Sequence, residues 1–185
     1  MKILKDTAIW FFSISLGVAV ALLVSIFIFQ PTTVDGHSME PTLQNNNRVF
    51  ISKLPRTFSY KPKYEEIVIV DARVDQPRSF KEDLLDSPLV QKLVRTKKNE
   101  DILIKRVIGK PGDRLVFKNH KVYRNGLALK ENYIKEEWML YTSEKEITVP
   151  EGHIFVLGDN RNKSRDSRQI GPIPIDHVLG VKLFD

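Results

Sequence analysis

The chain has 185 residues, the length of one ordinary domain or of one domain with an anchor. It carries 29 Lys and Arg against 23 Asp and Glu, a net charge of +6, and no cysteine. That excludes a disulfide scaffold, a thiol nucleophile and any cysteine-held zinc or iron–sulfur centre, while the basic balance suits an anionic lipid surface as well as it suits nucleic acid.

From Thr7 to Gln30 there are 24 consecutive uncharged residues, rich in Ile, Leu, Val, Phe and Ala between Trp10 and Phe29. A helix of that length reaches about 36 Å, enough to cross a hydrocarbon core of about 30 Å. Pro31 is expected to end it. A cleaved signal peptide is the rival reading, with Lys2 and Lys5 as its basic region. The apolar run is longer than the usual 7–15 residues of such a segment, roughly speaking, and no small-x-small cleavage site follows it. The expectation is therefore a cytoplasmic stretch at 1–6, a single-pass anchor at 7–30, and a domain at 31–185 on the outer face of the cell membrane, oriented by Lys2 and Lys5.

The rest of the chain predicts an all-β domain, mostly antiparallel and partly closed. Short apolar runs recur at Arg48–Ser52, Glu66–Val70, Ile102–Ile108, Arg114–Phe117, Ile147–Val149, His153–Leu157 and Val178–Phe184. Lys110-Pro111-Gly112-Asp113 has the order of a type II turn. Asn125-Gly126, set between two short strands, is a two-residue hairpin signal. The segment at about 71–101 breaks the pattern, with seven basic and seven acidic residues around small apolar clusters. Such a loop is read as a solvated excursion or as a flap touching membrane or partner.

The chemistry-bearing residues narrow quickly. His37, His120, His153 and His177 are scattered, with no HExxH pair to hold zinc, and no phosphate-binding glycine loop is present. A Ser-His-Asp triad remains open, since its members need not be close in sequence. Three segments are odd for a plain β scaffold. Gly36-His37-Ser38-Met39-Glu40-Pro41-Thr42 follows the anchor. Lys105-Arg106-Val107-Ile108-Gly109-Lys110-Pro111-Gly112-Asp113 puts a lysine directly after Ile102-Leu103-Ile104. Gly158-Asp159-Asn160-Arg161-Asn162-Lys163-Ser164-Arg165-Asp166-Ser167-Arg168 is a dense loop of charges and hydroxyls after an apolar strand.

In this order and spacing the three segments resemble the boxes of the type I signal peptidases, membrane serine proteases with a Ser/Lys dyad. The compact length and single anchor resemble the Gram-positive form. The resemblance implies Ser38 as nucleophile, Lys105 as general base, and Ser164 as a hydroxyl positioning the lysine ammonium. Asp159, Asp166, Arg168 and Arg106 match charged scaffold residues. Val34, Met39, Leu43, Leu103 and Ile104 match apolar positions near the substrate pockets. One box departs: where the family has Arg-Gly-Asp ahead of a strand, this chain has Tyr64-Glu65-Glu66.

A lysine base needs surroundings that disfavour its charge, and burial against apolar neighbours supplies them. Neutral Lys105 then takes the Ser38 proton as Ser38 attacks the scissile carbonyl, with no cofactor or metal in the scheme. The expected partners are signal-peptide-bearing preproteins, cut after small residues of the Ala-x-Ala type, and the lipid bilayer, with no nucleic acid. Two rivals stand beside this reading: a self-cleaving Ser/Lys regulatory protease, and a non-enzymatic membrane-anchored binding protein on the same fold. A penicillin-binding type of site is disfavoured, because Pro41 stands where S-x-x-K needs lysine.

Overall fold

A computed structural model describes residues 2–54, 60–76 and 100–183. Helix α1 covers Lys2–Phe27, a stretch without proline. Its described side chains from Ile9 to Ala21, 13 residues, are exposed. Among the described residues no helix is long and apolar enough to cross a membrane. The helix also stops earlier than expected. Residues from Phe29 to Thr33 form strand β1 instead, and Pro31 lies inside that strand. It fits because β1 is an outer strand, paired only with β2 (Arg48–Ser52), so the missing N–H costs no ladder bond on the open side.

The chain then builds β3 (Ile67–Asp71), β4 (Ile102–Gly109), β5 (Arg114–Lys118), β6 (Lys121–Arg124), β7 (Leu127–Ala128), β8 (Ser143–Thr148) and β9 (His153–Leu157). A short helix α2 (Ser167–Ile170), β10 (Ile173–Pro174) and β11 (Val178–Lys182) complete it. All strand pairings are antiparallel, in a seven-stranded sheet ordered β1-β2-β11-β3-β4-β9-β10 and a four-stranded sheet ordered β7-β6-β5-β8. The all-β expectation holds. Asn125 and Gly126, at φ 53° and 83°, make the hairpin between β6 and β7. Gly112, at φ 83°, turns the chain at 110–113, closed by Asp113 N–H donating to the Lys110 carbonyl at 3.0 Å.

Three apolar clusters meet around β4. Ile102 and Ile104 pack on a cluster containing Val34, Met39, Leu43, Val49 and Ile51. Leu103 and Val107 belong to a second, with Val68, Val70, Val156 and Ile173. Ile108 enters a third between the sheets, with Leu115, Phe117, Phe155 and Leu157. Strand alternation explains the split, since successive residues face opposite sides. Lys105 therefore shares its face with Leu103 and Val107.

The charged excursion at 71–101 falls largely at 77–99, outside the described residues. Its base is described: Ala72 N–H donates to the Asp101 carbonyl at 2.8 Å, joining the ends of β3 and β4.

Candidate active site

Lys105 is flanked on its strand face by apolar residues and is only 2 % exposed. Its Nζ lies 2.8 Å from Ser38 Oγ and 2.9 Å from the Ile104 carbonyl oxygen. Burial drives its pKa down from 10.5 to about 8. The carboxylates of Asp166 and Asp159 oppose that shift, and Arg165 and Arg168 reinforce it.

Ser38 reaches this lysine because the next residue turns the other way. Met39, 1 % exposed, is packed into the first cluster and pins the loop from beneath. The loop is also held from the 158–168 segment: Asn160 N–H donates to the Ser38 carbonyl and Asn160 Nδ2 to the His37 carbonyl, both at 3.0 Å. Gly158 passes closest. A Cβ there would overlap the Ser164 side chain and sit 2.5 Å from the Ser38 carbonyl oxygen.

The charged residues divide into two buried pairs. Arg106 grips Asp159 through Nε and Nη2 at 2.8 and 2.6 Å, and its Nη1 donates to the Glu65 carbonyl. Thr42 Oγ1 donates to the same Asp159 carboxylate, so the nucleophile loop and the 158–168 loop share one anion. Asp166 accepts from Arg168 Nε and Nη2 at 2.8 and 2.7 Å, caps α2, and accepts from Gly158 N–H at 3.1 Å.

Ser164 stands apart from the dyad in hydrogen bonding. Its Oγ is buried and has no hydrogen-bond partner, so no direct bond joins it to the Lys105 ammonium. The five apolar residues do not form one open lining. Val34, Met39 and Leu43 are core residues at 3 %, 1 % and 5 % exposure, with half-buried Ile104 against them, while Leu103 lies on the opposite face beside Lys105. Alternation along β4 separates Leu103 from Ile104, and the outward turn of Ser38 sends Met39 inward.

Sequence reading misses the segment 129–141, which has no regular secondary structure and lies across these loops. Glu131 pairs with buried Arg161 at 2.6 and 2.8 Å, the Tyr133 ring lies 4.0 Å from the Arg106 guanidinium carbon, and Asn162 bonds to Glu136. Glu131 and Arg161 are 30 positions apart, and nothing local to either announces the other.

The segment at 64–66 has a backbone that suits glycine at its centre. Glu65, in the position where the resemblance puts glycine, adopts φ 66°. Tyr64 Oη donates to Asp113 at 2.9 Å, and Lys110 Nζ and Arg124 Cζ lie 4.1 and 3.6 Å from the Tyr64 ring centroid.

Over most of its length the chain is similar to known peptidases. The model of the family described as signal peptidase, peptidase S26, matches residues 7–184. Signal peptidase I of Bacillus licheniformis is 33 % identical over 184 residues, covering 95 % of this chain and 86 % of its own length. Signal peptidase I T of Bacillus subtilis strain 168 is 32 % identical over 186 residues, with coverage of 95 % and 82 %. Thylakoidal processing peptidase 1 of Arabidopsis thaliana is 34 % identical over 91 % of this chain, which spans only 45 % of that relative's length. A crystal structure of a signal peptidase I from Enterococcus faecalis V583 matches with a TM-score of 0.45 at 28 % identity, over 65 % of this chain and 96 % of that one.

Proposed function

The chain belongs to the signal peptidase family, peptidase S26, and is a serine peptidase; on that premise we propose that it cleaves signal peptides from exported preproteins with Ser38 as nucleophile and Lys105 as general base. The observation that carries this is the 2.8 Å approach of Lys105 Nζ to Ser38 Oγ, made by a lysine that is only 2 % exposed. With a pKa of about 8, about a tenth of Lys105 is neutral at pH 7, against well under a thousandth at its ordinary value.

Neutral Nζ accepts the Ser38 proton as Oγ bonds to the scissile carbonyl carbon. The Ser38 N–H, which engages no acceptor among the described residues, is suited to receive the developing oxyanion. The ammonium then protonates the departing amine, and a water deprotonated by Lys105 hydrolyses the acyl-enzyme. Ser164 is assigned a supporting role beside Gly158, tightening against the dyad once substrate displaces solvent. Leu103, on the Lys105 face, and Ile104 are the substrate-contacting apolar residues in this scheme, with Val34, Met39 and Leu43 backing the loop. Small residues of the Ala-x-Ala type are the proposed specificity. Helix α1 (Lys2–Phe27) is the proposed membrane anchor, with the β domain from β1 onward on the outer face.

The test is cleavage of a preprotein by the full chain in detergent, with mass spectrometry locating the cut. Cleavage after a small residue that is lost in Ser38→Ala supports the proposal. Retention of turnover in Ser38→Ala overturns it, and concentration-independent cleavage of the chain itself favours the self-cleaving class.

A further inference from the structure

Lys135 touches the nucleophile loop and the 158–168 loop that holds it. Its Nζ donates to Glu40 Oε2 at 2.6 Å, two residues beyond Ser38. Its backbone N–H donates to the Asp159 carbonyl at 3.0 Å, one residue before the Asn160 that holds the Ser38 carbonyl. Glu40 also meets His37 Nδ1 at 2.6 Å, so the carboxylate lies between the residue preceding the nucleophile and a segment that comes 95 positions later. The Lys135 bond, and then His37, hold the Glu40 carboxyl down to about 2. We infer that Lys135 is a positioning residue: it fixes the outward side of the nucleophile loop through Glu40 while its backbone fixes the 158–168 loop, so that Ser38 Oγ stays within reach of Lys105 Nζ during turnover.

The geometry makes this more than a surface ion pair. Met39 anchors the loop inward, Asn160 holds the Ser38 and His37 carbonyls, and Thr42 bonds to Asp159. Glu40–Lys135 adds a partly exposed tie, made by a residue whose backbone already bonds to the opposing loop. Small displacements of a nucleophile from its base cost rate and leave substrate affinity intact, because the substrate contacts are made elsewhere.

The inference rests on the proposed cleavage of preproteins, and the experiment uses that reaction with the full chain in detergent. Wild-type enzyme is assayed first; absence of Ser38-dependent cleavage removes the functional reading, and this inference with it. Given cleavage, Lys135→Met and Glu40→Gln are each expected to lower kcat about 5–10-fold with KM changed less than about twofold. The double variant is expected to be no worse than either single one, and Lys135→Arg to keep most of the rate. High salt should slow the wild type toward the variants and leave the variants unmoved, since the pair is partly exposed. Glu40→Gln keeps the side-chain shape, so it reads the same pair even if Lys135→Met melts. Unchanged kcat in Glu40→Gln, a change confined to KM, or additive losses in the double variant overturns the inference.

Discussion

Burying Lys105 gives both stability and activity a dependence on pH, and the sign follows from the direction of the shift. The folded state holds its pKa at about 8, below the ordinary 10.5, so between those values the unfolded chain binds the extra proton. Stability then rises with pH across that window, by about 3 kcal/mol in full, and below pH 8 the burial of charge is a standing cost. Lys105→Met is expected to melt higher than wild type at pH 7 and to lose the rise between pH 8 and 10.5, as read by thermal melts across the range. Activity in the wild type should follow the neutral lysine, with an acid limb of kcat/KM near pH 8. Glu65 offers a second test at this scale. A non-glycine residue at φ 66° carries roughly 1 kcal/mol of strain. Glu65→Gly should therefore raise the melting temperature by about 2–4 °C with cleavage unchanged, since its backbone bonds to Val107 and Arg106 remain. In that tripeptide the residue types depart from the expected box, and the positive φ at Glu65 is one that glycine adopts without strain.

Among the elements, the 158–168 loop depends on contacts that bring it close to the nucleophile loop. Gly158→Ala forces a methyl against the Ser38 carbonyl and the Ser164 side chain, and such overpacking costs about 1–3 kcal/mol. Its activity should fall further than its melting temperature implies, because the displaced atoms belong to the loop that carries Ser38. Glu131→Gln leaves the buried Arg161 guanidinium without its counter-charge, a loss of about 3–5 kcal/mol measurable by urea unfolding. The two cases differ in what the sequence discloses. Gly158 lies inside a recognisable box, as do Ser38, Lys105, Asp159 and Asp166. The strap from 129 to 141 lies in none, because its contacts are side chains reaching loops tens of residues away, with no periodic pattern of its own. Strands were legible at several runs of Val, Ile and Phe, with Arg48–Ser52 and His153–Leu157 matching their expected limits, whereas β8 runs over Ser143–Thr148 and not Ile147–Val149. β1 was not, since Gln30-Pro31-Thr32-Thr33 is polar and interrupted by proline, and only pairing with β2 makes it a strand.

For the whole molecule, the exposed apolar surface of α1 is the dominant solubility term. Trp10, Phe11 and Phe12 are about 70 % exposed, at 71 %, 72 % and 69 %. A chain starting at Ile28 retains β1 and is expected to stay monomeric without detergent, while the full chain requires it, as checked by sedimentation. A chain starting at Val34 lacks β1 and uncovers β2, so it should aggregate or melt earlier than the Ile28 form.

Only Ile28 separates the end of α1 from the start of β1, and β1 is hydrogen-bonded along its length to β2. The junction therefore has no slack. From Phe27 to Ser38 is 11 residues, about 36 Å at full stretch and less along this path. In the anchored arrangement proposed above, the nucleophile is carried at a set height over the bilayer, and the protein acts as a measuring rod as much as a blade. Which bond is cut then depends on how far a substrate's own apolar segment lifts it out of the lipid. Inserting a short Gly-Ser linker after Ile28 would loosen that measure while sparing the pockets, and substrates with two acceptable small residues in series should begin to yield both products.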